Sequence, residues 1–153
     1  STQGVSSAAS DVYKRQTEHG PSYIADSSLY PPQIAALIEK GLQTPAHTYA
    51  AAQRTRVIFR RKLQECFETV DVLLSPSTPT QAPLRTTGTT GPPIFQRPST
   101  SAGIPAISIP SGLDSSKLPI GTQLAGPMFG EQRLIEVAGW CERTLGQDIM
   151  LRT

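Results

Sequence analysis

Two short runs near the end of the sequence, AISIPSG from Ala106 and IGTQLAG from Ile120, alternate apolar residues with small or polar ones. A period of two is the mark of a half-buried strand. The connecting LDSSKLP, Leu113 to Pro119, is rich in turn formers, so the pair predicts an antiparallel hairpin with a long loop. A helix is expected next, from about Glu131 to Leu145. Leu134, Val137, Ala138, Cys141 and Leu145 form its inward stripe, Glu131 suits its positive first turn, and Gly146 closes it.

Upstream, SSLYPPQIAALIEKGLQTP predicts a short helix with Pro31 and Pro32 in its first turn and Gly41 as its stop. Thr44 is expected to cap a longer second helix, with Pro45 in the first turn. Its apolar positions are Tyr49, Ala52, Phe59, Leu63, Cys66, Phe67 and Val70, spaced mostly by threes and fours. Arg54, Arg56, Arg60, Arg61 and Lys62 load the remaining surface, read as a solvated face in preference to an anion-binding strip. Val70 to Leu74 is a nearly continuous apolar run, the pattern of a strand buried on both faces, ended by Pro76 and Pro79. Thr80 to Pro93 reads as a long surface loop, a length that often serves function. IFQRPSTSAG predicts one or two helical turns ending at Gly103.

With 153 residues the chain can hold one domain with a core. A net charge of +2 gives no reason to expect nucleic acid or an anionic membrane as partner. No run of about 18 apolar residues is present, so no membrane contact is expected. No basic-then-apolar secretory pattern opens the chain. Cys66 and Cys141 sit at apolar-face positions of predicted helices; a disulfide between them is the alternative to the preferred reading as buried free thiols, which fits a reducing cytoplasm. His19 and His47 read as incidental surface residues, and Lys117 as an exposed turn residue. No GxSxG, HExxH, GxxxxGK[ST] or CxxC motif occurs, and no ligand-spaced acidic cluster argues for a metal. No cofactor is implied. Ser99, Thr100 and Ser101 offer hydroxyls whose ordinary use is capping or turn formation, with substrate contact as the alternative. Composition and spacing alone end at a soluble α/β scaffold.

Two resemblances carry the reading further. SSAASDVYKRQ, residues 6–16, resembles a translated sequencing adapter, so residues 1–16 are expected to be a non-native leader. DVLLSPSTPTQAP, FQRPSTSAGIPAISIPSGL and LPIGTQLAGPMFGEQRLIEVA together resemble the C-terminal end of the amidase signature family. Asp71, Leu73, Pro76 and Pro79 match the first block of that family's pattern. Phe95, Pro98, Gly103, Pro105, Ala106, Ser108, Pro110 and Gly112 match the second. Leu118, Pro119, Gly121, Gln123, Gly126, Glu131 and Leu134 match the third.

The resemblance implies an α/β fold in which a mixed β-sheet lies between helical layers, with residues 17–153 as the C-terminal portion of a single amidase domain. It implies hydrolysis of a small-molecule amide by a Ser–cis-Ser–Lys triad: a serine attacks the carbonyl, backbone amides hold the oxyanion, and water clears the acyl-enzyme. All three triad residues belong to the upstream part of the family pattern, so no catalytic residue is expected here and the chain alone is expected to be inactive. Candidate pocket residues are Ile94, Phe95, Ser99 and Thr100. Thr100 and Gln96 replace the family's usual Asn and Thr, and Pro93 stands where the amidase-type subunit of tRNA-dependent glutamine amidotransferase commonly has an acid. These departures favour a stand-alone amidase over such an amidotransferase subunit. The alternative of another class is a non-catalytic binding module.

Overall fold

The computed structural model describes residues 18–88 and 90–145. The expected leader at residues 1–16 and the stop at Gly146 lie outside the described residues. The chain divides into two units, Ser1–Phe59 and Arg60–Thr153, and the boundary falls within one long helix.

In the first unit residues 18–25 are helical (α1). Asp26 then caps a 3₁₀ turn, Ser27–Leu29, with Oδ1 accepting from the Ser28 amide at 3.0 Å and its hydroxyl at 2.6 Å. These bonds stabilise the anion and hold the Asp26 carboxyl below the usual range. The Tyr30 ring meets His19 and Tyr23 edge-on, at 6.0 and 5.6 Å between centroids. Tyr23 donates its hydroxyl to Glu39 at 2.6 Å, which raises the phenol pKa because the neutral form is the donor.

Helix α2 runs Pro32–Leu42, with Pro32 where a missing amide hydrogen costs nothing. Gly41, the expected stop, lies inside the last turn and is buried. Thr44 does not cap the next helix either: its hydroxyl donates back to the Lys40 carbonyl at 2.7 Å and closes α2. The Pro45 carbonyl instead receives the Thr48 and Tyr49 amides at 3.0 and 3.3 Å, opening α3, Ala46–Cys66. Along α3 only Ala52 is buried, while Tyr49, Phe59 and Leu63 are half-buried. Cys66 is exposed, its thiol donating to the Lys62 carbonyl at 3.3 Å. The apolar spacing overstated how much of this helix is covered.

The second unit is built on a three-stranded sheet in the order β1-β3-β2, with β1 Leu73–Pro76, β2 Ala106–Leu113 and β3 Pro119–Ala125. Both flanking strands run antiparallel to β3, and the parallel pairs that a mixed sheet also has are absent among the described residues. Leu73 and Ala106 both pair with Ala125, and Ser75 and Ser108 both pair with Gln123. Helix α5, Glu131–Leu145, covers one face through Leu134 and Ala138, which join Ile109 and Leu124 in a core flanked by Val72, Ile107, Val137 and Cys141. Leu145, expected in the inward stripe, is 49% exposed.

Strand β1 corrects the expectation of a doubly buried Val70–Leu74 strand. Three turn residues follow α3, pairing starts only at Leu73, and Leu74 is 70% exposed on this edge strand. The hydrogen-bond alternation explains two strand prolines. Ser77 N–H bonds the Gly121 carbonyl and Gly126 N–H the Pro105 carbonyl, so Pro76 and Pro110 fall at positions whose nitrogens point away from β3. A residue without an amide hydrogen removes no ladder bond there.

At the hairpin tip, Asp114 Oδ1 accepts from the Ser116 and Leu118 amides, both at 2.8 Å, and lets Lys117 adopt φ 60°. Asp114→Ala is expected to cost about 1–2 kcal/mol, since two amides lose a charged acceptor. Asp114→Asn, which keeps the oxygen, should lose less than half of that; urea denaturation followed by far-ultraviolet circular dichroism measures both.

Candidate functional site

The sheet face opposite α5 carries Ser75, Gln123 and Ser108 in one cross-strand row. Short helix α4, Gln96–Ala102, closes over this side. It ends because Gly103 takes a left-handed φ of 69°, letting the Gly103 and Ile104 amides bond the Ser99 carbonyl at 2.8 and 3.2 Å. Arg60 Nε satisfies another terminal carbonyl, Ala102 O, at 2.7 Å. Arg60 is therefore a helix-capping group and not part of a solvated face, whereas Arg61 pairs with Glu65 at 3.2 Å.

A polar network joins the end of β1, the start of α4 and the middle of β3. Gln123 is 7% exposed and donates Nε2 to the Phe95 carbonyl at 3.0 Å, with Ser75 Oγ at 3.5 Å. Gln96 Nε2 donates to the Ser77 carbonyl. Its Oε1 is buried without a hydrogen-bond partner among the described residues. Ser77 Oγ and Ser108 Oγ meet at 2.5 Å over Gly121, where an added Cβ would lie 2.9 Å from Ser77 Oγ and 3.0 Å from Ser108 Oγ. A side chain at 121 would force the Ser77 and Ser108 hydroxyls to turn away.

Beside this network lies a cavity of about 160 Å³, lined among others by Leu63, Leu73, Phe95, Ser99, Ile104 and Gln123. Of the four sequence candidates, Phe95 and Ser99 line it; Ile94, at 51% exposure, and the exposed Thr100 do not. The lining is apolar apart from the Ser75 and Ser99 hydroxyls and the Gln123 amide, and no ionisable side chain belongs to it. It can shape and orient a neutral amide or apolar group, but it supplies no general base. A larger hollow of about 340 Å³ lies along the outer side of α5 between Arg133, Glu136, Val137 and Trp140. Arg133 is engaged there by Asp71 at 3.5 Å and Glu136 at 3.6 Å, all three well exposed, so screening leaves little field for a ligand. Among the described residues no group of three metal-ligating side chains occurs, and no helix is long and apolar enough to cross a membrane.

Sequence reasoning missed Arg60, Gln96 and Ser77 as organisers of this face. Gln123 and Ser108 stood within the matched blocks but were not singled out.

The amidase family's sequence profile matches residues 14–135, so the chain belongs to that family. It is 41% identical over 103 residues to a glutamyl-tRNA(Gln) amidotransferase subunit of Halothermothrix orenii, covering 63% of this chain and 21% of that protein. Against the same subunit of Gluconobacter oxydans the identity is 39% over 93 residues, covering 57% and 19%. A crystal structure of an amidase superposes with a TM-score of 0.76 at 24% identity, covering 88% of this chain and 33% of that one, which shows the shared fold. The chain thus spans about a fifth of the curated relatives it matches.

These relatives correct two expectations. On sequence alone the departures at Pro93, Gln96 and Thr100 favour a stand-alone amidase, yet the similarity over this region runs to glutamyl-tRNA(Gln) amidotransferase subunits. The expectation of no nucleic-acid partner is overturned too, because the proteins it resembles are named for a tRNA substrate.

Proposed function

We propose that residues 18–145 form the C-terminal part of the amidase-type subunit of a glutamyl-tRNA amidotransferase, which releases ammonia from a donor amide for a tRNA-linked glutamyl group. The observation that carries this reading is the 41% identity over 103 residues to such a subunit. In this reading the Ser–cis-Ser–Lys triad and the Gly/Ser-rich loop lie in preceding chain. The serine attacks the donor carbonyl, backbone amides hold the oxyanion, and ammonia leaves before water clears the acyl-enzyme. The present residues contribute scaffold and one pocket wall, Phe95 and Ser99 at the cavity, while their chain neighbours Ile94 and Thr100 lie outside its lining. Glutamyl-tRNA and the amide donor are the partners, and the cytoplasm is the location.

A chimera tests the proposal. Residues 18–145 replace the matching segment of the Halothermothrix orenii protein, which is combined with its partner subunits and assayed for glutamine-dependent amidation of glutamyl-tRNA(Gln). Amidation is the expected result. Hydrolysis of simple amides without glutamine-dependent amidation would assign the segment to a stand-alone amidase.

A further inference from the structure

Loop 78–94, described except for residue 89, has both of its ends fastened to the same strand. At its entry, Ser77 N–H bonds the Gly121 carbonyl at 2.8 Å while the Ser77 carbonyl receives Gln96 Nε2. At its exit, the Phe95 carbonyl receives Gln123 Nε2 at 3.0 Å, and the Arg97 amide bonds the Pro93 carbonyl at 3.2 Å. Gln123 lies two residues beyond Gly121 on β3, and its amide also reaches Ser75 Oγ at 3.5 Å on the strand that feeds the loop. Entry, exit and central strand are therefore cross-linked by two side-chain amides. Within the loop, by contrast, nearly every described residue is exposed, and the bond from Thr78 Oγ1 to the Thr80 carbonyl is local.

We infer that Gln96 and Gln123 form a two-part clasp that couples the two ends of this loop, so that Ser77 and Phe95 are released together and neither end frays alone. The physical reason lies in the sharing of groups. Gln96 belongs to the exit but holds the entry carbonyl, and Gln123 belongs to β3 but holds the exit carbonyl beside the Ser75 hydroxyl of β1, two residues before the entry. Releasing either amide removes a constraint from both ends. Because the Phe95 side chain lines the cavity and its carbonyl is held by Gln123, the clasp also fixes one wall of that cavity. This coupling is the same whichever reaction the family member performs.

Residue-resolved amide exchange by NMR on the 153-residue chain tests it, reading the Ser77 and Arg97 amides against the Leu134 amide, which bonds the Gly130 carbonyl at 3.0 Å at the start of α5. Gln96→Leu and Gln123→Leu are each expected to speed exchange at both Ser77 and Arg97 by about tenfold, the scale of one lost hydrogen bond, with Leu134 unchanged. The inference fails if each variant affects only one end of the loop, if neither affects it, or if Leu134 accelerates in step. Gln96 is only half-buried, so Gln96→Leu decides the matter even where Gln123→Leu does not fold.

Discussion

Leu124→Ala is expected to destabilise the second unit by about 2–5 kcal/mol, the range for emptying a leucine site in a packed core. Leu124 is 1% exposed at the centre of β3 and packs with Ile109, Leu134 and Ala138, where strand and helix faces meet. Removing its side chain takes contacts from β2 and α5 at once. Both are fixed by their own backbone bonds, so the site collapses only in part. Leu74 supplies the control. It is the Cα partner of Leu124 across the β1–β3 pair, yet it is 70% exposed, so Leu74→Ala should change stability by no more than about 0.5 kcal/mol. Urea denaturation followed by far-ultraviolet circular dichroism compares the two. Equal losses would mean that α5 does not cover the face of the sheet on which Leu124 lies.

What was legible in the sequence was local. The hairpin was readable because alternation and turn chemistry act over a few residues: Ala106–Leu113 and Pro119–Ala125 pair as expected, with Asp114 organising the turn. The start and length of α5 and the stop of α4 at Gly103 were readable for the same reason. Strand β1 was not. An apolar run says that a segment seeks burial but not where the preceding helix finishes unwinding, and Phe67, Glu68 and Thr69 are spent on turn bonds back to Gln64, Glu65 and Cys66. Thr44 shows the matching ambiguity between two helices, since a threonine between them can close the first or open the second, and the hydroxyl bond to Lys40 closes the first.

The candidate site was legible only in outline. Gln123 reaches Phe95 across 28 residues of sequence and Gln96 reaches Ser77 across 19, so neither contact leaves a periodic trace. The glutamines were visible as a matched residue and as a departure, without a role. Net charge misled for a different reason. A value of +2 bears on binding driven by a general field, and it says nothing about the tRNA for which the similar proteins are named.

Gly130→Ala is the second substitution expected to act strongly, with a loss of about 1–3 kcal/mol from overpacking. An added Cβ would lie 2.8 Å from Pro127 Cγ, 3.1 Å from Pro127 Cδ and 3.0 Å from the Pro127 carbonyl oxygen. Neither neighbour yields readily. The ring cannot rotate aside, and the carbonyl is held by the Gly130 amide itself at 3.0 Å. Relief must come from the backbone, and the Gly130 carbonyl accepts the Leu134 amide at 3.0 Å, so any shift is passed to the first turn of α5 and the core residue it carries. Gly139, inside the same helix, gives the opposite expectation. Its added Cβ would meet only the flexible Arg143 guanidinium at 3.4 Å, so Gly139→Ala should stabilise by about 0.5–1 kcal/mol through helix propensity. Thermal and urea denaturation of the two variants should therefore move in opposite directions. A loss on Gly139→Ala as large as that on Gly130→Ala would show that α5 resists any added methyl, and that the proline contact is not what sets the requirement for glycine.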